Sequence, residues 1–161
     1  MLVVAIIICE LMLGAFFSSV NAMNIAVSMT PPSGVFGLIF LAWYEREAIG
    51  LIAAVFFGLL ADANAGTPLG VYLIPYLFTF MLMYFGKPLL PSLNVFYFAL
   101  SSAASAAFIH LLASFVYLAA IPGLSYRGFS FSAHTFIASA FFGILLFPFY
   151  AKIRKSRKTE E

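Results

Sequence analysis

Charge is what this sequence has least of. Of 161 residues only 9% are charged, six acids against eight bases, where a soluble domain carries about 25%. So few charges cannot cover a water-exposed surface. That excludes a soluble enzyme, a nucleic-acid-binding domain and a disordered tail. Cysteine is nearly absent: Cys9 stands alone inside the first apolar run, so no internal disulfide forms and the redox compartment is not indicated. Catalytic motifs are missing as well. There is no His-Glu-x-x-His pair, no Gly-x-Ser-x-Gly elbow and no phosphate-binding Gly-Lys-Ser/Thr loop. His110 and His134 lie on different runs with no cysteine or carboxylate at ligand spacing, which argues against a metal site or any other cofactor. No period of 20–50 residues is evident, and there is no low-complexity segment.

Apolar residues fill the space that charge leaves: 64% of the chain is hydrophobic, with 20 Phe and 8 Tyr. At about 20 residues per transmembrane helix, the length allows five or six spans and short loops. The predicted class is all-α, a polytopic membrane helix bundle over 1–151 followed by a basic tail over 152–161. The first run covers Leu2 to Ala26. Val20-Asn21-Ala22 resembles a signal-peptide cleavage site, but no Lys or Arg precedes the run and Glu10 interrupts it, so an uncleaved span is expected. Pro31-Pro32 breaks the chain. The second run, Gly34 to Tyr44, reaches only about 17 Å, short of a ~30 Å core. It either spans with help from residues 29–33 or is a re-entrant segment shielded by protein. Further runs cover Ala48–Ala63, Leu69–Phe85 with a kink near Pro75, Leu93–Ile121 and Phe131–Tyr150.

Basic residues orient the bundle. With the tail of Lys152, Arg154, Lys155, Arg157 and Lys158 in the cytoplasm, Arg46 and Lys87 also fall inside and only Arg127 falls outside. Six spans then put both termini in the cytoplasm. The tail follows a span directly, so it suits an anionic lipid surface rather than nucleic acid.

Ionisable groups within spans are costly and mark candidate sites. Counted from the inner end of each span, Glu10 lies about 12 Å deep, Asp62 about 21 Å and His110 about 25 Å. Asn21, Asp62, His110 and His134 would share the outer half of the membrane. They are interhelical polar glue, an interface group, or the lining of an outward-opening ligand pocket; Asp62 is also expected to fold back and cap or brace the turn that opens the next helix at Pro68 and Gly70. Glu10, deeper, is protonated, paired inside the bundle, or turned to a partner helix. The strip Ser101 to Ala107, with Ser101 and Ser105, carries small residues on every face and suits close packing, internal or with a partner helix. The outer loop offers Tyr126, Arg127 and Phe129, types enriched at interface hot spots.

The segment Gly58-Leu59-Leu60-Ala61-Asp62-Ala63-Asn64-Ala65-Gly66-Thr67-Pro68-Leu69-Gly70 resembles the signature of MreD, the rod shape-determining membrane protein family: a span ending in Leu-x-Asp, then Gly-x-Pro-Leu-Gly opening the next. The order of features agrees along nearly the whole chain: a first span, the Pro31-Pro32 break, a short run ending Leu41-Ala42-Trp43-Tyr44, the motif, two more spans and a basic tail. The chain departs from the family at Thr30, where an Arg often precedes the proline, and in the less basic Glu45-Arg46-Glu47 loop. The resemblance implies a non-enzymatic component of the cell-wall elongation machinery that binds MreC. It would act beside RodA, a class B penicillin-binding protein and MreB. It also implies a fold like the substrate-binding subunit of energy-coupling-factor vitamin transporters. Such a vitamin-binding subunit is the competing reading. Against it, the inner part of the first span, Leu2 to Ile8, is bulky where those subunits carry an Ala-x-x-x-Ala docking motif.

Overall fold

The computed structural model describes residues 4, 6–13, 15, 32, 34–44, 47–89, 94–120 and 133–158, with backbone alone for 120, 133–135 and 153–158. Among them there is no strand. Six helices follow one another: α1 (residues 6–13), α2 (Val35–Tyr44), α3 (Glu47–Ala65), α4 (Leu73–Gly86), α5 (Val95–Ala120) and α6 (Ala133–Lys158). A 3₁₀ turn, Lys87–Leu89, follows α4.

The shortest of the five complete helices is also the most enclosed. Every residue of α2 from Val35 to Trp43 is buried, and α3, α4, α5 and α6 all pack against it. From the remaining side α1 presents Ile6 and Glu10, one turn apart and both buried. α2 is therefore apolar all round because it has no outer face. The helices around it are apolar in both directions. Ile52 is 68% exposed, Phe85 70% and Phe115 63%, a surface that water would not cover favourably. Two helices, Glu47–Ala65 and Val95–Ala119, are long and apolar enough to cross a membrane; Val35–Tyr44, Leu73–Leu89 and Phe136–Lys152 are shorter apolar helices.

Glycine sets the close crossings. A Cβ built on Gly58 of α3 would lie 2.7 Å from the Leu73 Cα of α4, and one on Gly50 would lie 2.3 Å from the Phe80 ring. Gly143 of α6 stands against Ala99 and Ser102 of α5, with 3.0 Å from its would-be Cβ to the Ala99 Cα. α5 and α6 form the most extensive helix pair among the described residues, with Ser102 in their seam; Ser101, Ser102, Ala103, Ser105 and Ala106 of the small strip are buried. Internal packing thus takes up most of this strip.

Several boundaries differ from expectation for local reasons. α4 begins at Leu73 rather than Leu69, because Leu69 to Tyr72 form a turn under Asp62. Pro75 then falls in the first turn of α4 and not at a kink; its missing N–H is one of the donors that a helix start leaves unpaired. α5 begins at Val95 because Asn94 caps it, its Oδ1 accepting from the Tyr97 N–H at 2.9 Å. α6 contains Pro148 and runs on to Lys158. The tail from Lys152 to Lys158 is thus a continuation of the last helix and not a separate segment.

Candidate functional site

Two buried carboxylates, Glu10 and Asp62, each 1% exposed, organise the polar interior. Asp62 sits in the last turn of α3. That helix ends on Gly66, whose φ of +64° suits a residue without Cβ. The Gly66 N–H donates to the Ala63 carbonyl at 3.4 Å, and the Thr67 N–H donates to the Asp62 carbonyl at 3.1 Å. This pair of bonds is a Schellman ending. The chain reverses at once. The Val71 N–H donates to the Pro68 carbonyl at 3.3 Å, and Gly70, at the third position of that turn, has φ +107°.

The reversal brings the start of α4 over the Asp62 side chain. Its Oδ1 accepts from the Thr67 hydroxyl at 3.0 Å and the Tyr72 N–H at 2.7 Å. Its Oδ2 accepts from the Gly70 N–H at 2.9 Å and the Leu73 N–H at 3.3 Å. No side chain of α4 caps its own start. The carboxylate of the preceding helix does so, and its negative charge meets the positive end of the α4 dipole. Gly66, Pro68 and Gly70 shape the turn that permits this contact.

Glu10 serves α2 in the same way from a different distance. Its Oε2 accepts from the Gly34 N–H at 3.1 Å and its Oε1 from the Gly37 N–H at 2.5 Å. The Tyr150 hydroxyl of α6 also donates to Oε1. Gly34 has φ +83°. A Cβ on Gly37 would lie 2.8 Å from Glu10 Cγ and 2.9 Å from Ile6 Cγ2, so Gly37 is what lets α1 approach. Tyr150 is fixed in turn by rings: Phe40 stacks on it at 5.0 Å and Phe98 lies at 5.8 Å.

The depth of Glu10 follows from the packing. A Cβ on Gly34 would lie 2.4 Å from the Phe57 ring, while the other end of α2 joins α3 through residues 45–46 alone. Phe57 is ten residues along α3 from Glu47, about 15 Å. The start of α2 therefore lies about halfway along α3, and α2 covers only one half of that length.

Of the residues singled out as partner-facing, Glu10, Ser101 and Ser105 are enclosed by the chain itself, at 1%, 7% and 2% exposure. They display little on the outside: α2 and α6 close over Glu10, and the folded chain buries both serines. Tyr126, Arg127, Phe129 and Asn21 lie outside the described residues, and His134 is described by its backbone alone. His110 is half-buried on α5. Asp62 was grouped with these outer polar residues, but its carboxylate is engaged by its own turn. Among the described residues no three His, Cys, Asp or Glu side chains stand close enough to hold a metal ion.

Sequence reasoning missed Tyr150 as the Glu10 partner, and missed a short repetition. Pro32-Ser33-Gly34-Val35 and Pro68-Leu69-Gly70-Val71 share a Pro-x-Gly-Val pattern, 36 positions apart. In each the valine N–H donates to the proline carbonyl at 3.3 Å. The pattern is visible in the sequence once a four-residue window is compared rather than a whole repeat. Comparison with protein-family models, curated proteins and solved structures finds no match to this chain.

Proposed function

We propose that this chain is a non-catalytic, multi-pass component of a bacterial cell-wall elongation complex, similar to MreD, working by binding other membrane proteins. The reading is carried by the segment from Leu60 to Gly70. The Leu-x-Asp and Gly-x-Pro-Leu-Gly elements that resemble the family are also the elements that meet in space, the aspartate holding the turn that the glycines and proline form. A motif that folds into one unit is a stronger basis for resemblance than the same letters scattered over a loop. Helices that are apolar on their outward faces support a lipid environment. The six-span arrangement with both termini cytoplasmic requires the second run to cross with help from residues 29–33, and its orientation rests on the basic residues of the sequence.

In this reading the chain holds a single-span MreC-like protein beside RodA and a class B penicillin-binding protein, and links them directly or through MreC to MreB filaments. The outer loop with Tyr126, Arg127 and Phe129 is the part of the candidate surface that remains, since Glu10, Ser101 and Ser105 are turned inward. Depletion of the protein in the organism that makes it tests the function: rods that widen and round up support it. Unchanged shape, together with a vitamin that raises the melting temperature of the purified protein, would favour the transporter-subunit reading.

A further inference from the structure

Glu10 and Asp62 act in the same frame. Aligned on the two Pro-x-Gly-Val turns, Gly34 matches Gly70 and Gly37 matches Leu73. In both copies the N–H groups at these two positions donate to the carboxylate of the helix before. In both, the glycine has a positive φ and its carbonyl accepts from the residue four ahead, Leu38 at 2.9 Å and Ile74 at 3.2 Å. The acids lie at different distances back, Glu10 24 residues before Gly34 and Asp62 8 before Gly70.

We infer that the chain carries one device twice: an ionised carboxylate, supplied by the preceding helix, occupies the start of the next helix, and the Glu10 copy also latches α1 to α6 through Tyr150. The inference rests on geometry alone and stands or falls apart from the proposed function.

The donors carry the argument for ionisation. Glu10 is met by two backbone N–H groups and a phenol hydroxyl. Asp62 is met by three backbone N–H groups and a threonine hydroxyl. A carboxylate has only acceptor sites and suits the five backbone N–H donors, whereas a neutral acid would have to give its O–H to the Tyr150 or Thr67 hydroxyl, the two partners able to accept. A helix start adds a positive partial charge where the carboxylate lies. The latch follows from connectivity. α1 reaches α2 through Ile6 and Glu10, and the Tyr150 contact makes the same carboxylate shared by α1, α2 and α6. One side chain thus ties the first described helix to the last across the enclosed one.

Thermal unfolding of the full chain in detergent tests both parts. Glu10→Gln keeps the shape of a neutral acid but replaces one acceptor oxygen by a donor. Charge-assisted bonds to an ionised Glu10 predict a melting temperature lower by about 5 °C or more. Tyr150→Phe should lower it less, and the double variant should lose less than the sum of the two. A Glu10→Gln protein that melts like the parent overturns ionisation. Additive losses overturn the latch. If Glu10→Gln yields no folded protein, the second copy decides. Asp62→Ala removes a carboxylate near the end of α3, and sodium formate should raise its melting temperature where sodium chloride and formamide do not. Formate that acts no better than chloride overturns the device.

Discussion

At the residue scale, the energetic weight falls on two acids and the glycines that admit them. Asp62→Ala would leave the N–H groups of Gly70, Tyr72 and Leu73 without their acceptor. The expected loss is about 3 kcal/mol, read as a melting temperature lower by about 6–12 °C for a chain of this length. Gly70→Ala should cost about 1–2 kcal/mol, because φ +107° strains any residue with a Cβ; the same melting curve measures it. Ser105→Leu puts a large side chain where only 2% of the residue is exposed. It should lower the folded yield of the isolated protein and not merely its partner binding. The Asp62 fold-back was legible in the sequence, since acid, turn signals and helix start lie within the twelve residues from Asp62 to Leu73. The Glu10 contact was not: its partners are two backbone N–H groups 24 and 27 residues on and a tyrosine 140 residues on, and nothing in residue identity marks a backbone donor as a distant partner.

At the element scale, close helix crossings explain why small residues stand where they do. Gly58→Val would drive a branched side chain into the Leu73 backbone. Backbone cannot swing aside as a side chain can, so α3 and α4 must part. A loss of about 2–3 kcal/mol is expected, and it should exceed that of Gly86→Val, since a Cβ on Gly86 meets nothing within 4 Å. Apolar runs predicted the existence of every helix because length and hydropathy are local properties. They placed the start of α4 four residues early and ended α6 too soon. The first error came from reading Leu69 and Tyr72 as helical when Gly70 and Asp62 make them a turn. The second came from ending the run at Tyr150, where apolar residues give way to the basic tail, when the helix continues to Lys158. Whether α2 lies inside or outside the bundle is not a property of its own ten residues, and only the packing around it decides that.

At the scale of the whole molecule, the account makes claims about a membrane and about partners. Its topology predicts that, in a Cys9→Ala background, a cysteine at Ser125 is labelled from outside intact cells and one at Ser156 only after permeabilisation. The reverse pattern would turn the bundle over. Glu10 and Asp62 spend their acceptor oxygens on the chain itself, so in the proposed reading a partner is recognised by other groups. Lipid gives an apolar helix no drive to associate, and loops and close packing must supply it. Arg127→Glu should therefore weaken partner recovery while leaving the melting temperature within about 2 °C of the parent. The central claim is that this protein works by holding other membrane proteins. It is tested most directly by affinity purification of the tagged full chain from detergent-solubilised membranes of the organism that makes it. The account predicts recovery of a single-span MreC-like protein with wall-synthesis enzymes. Recovery instead of a transporter's membrane subunit and its ATPases, with a vitamin bound to the chain, would contradict it.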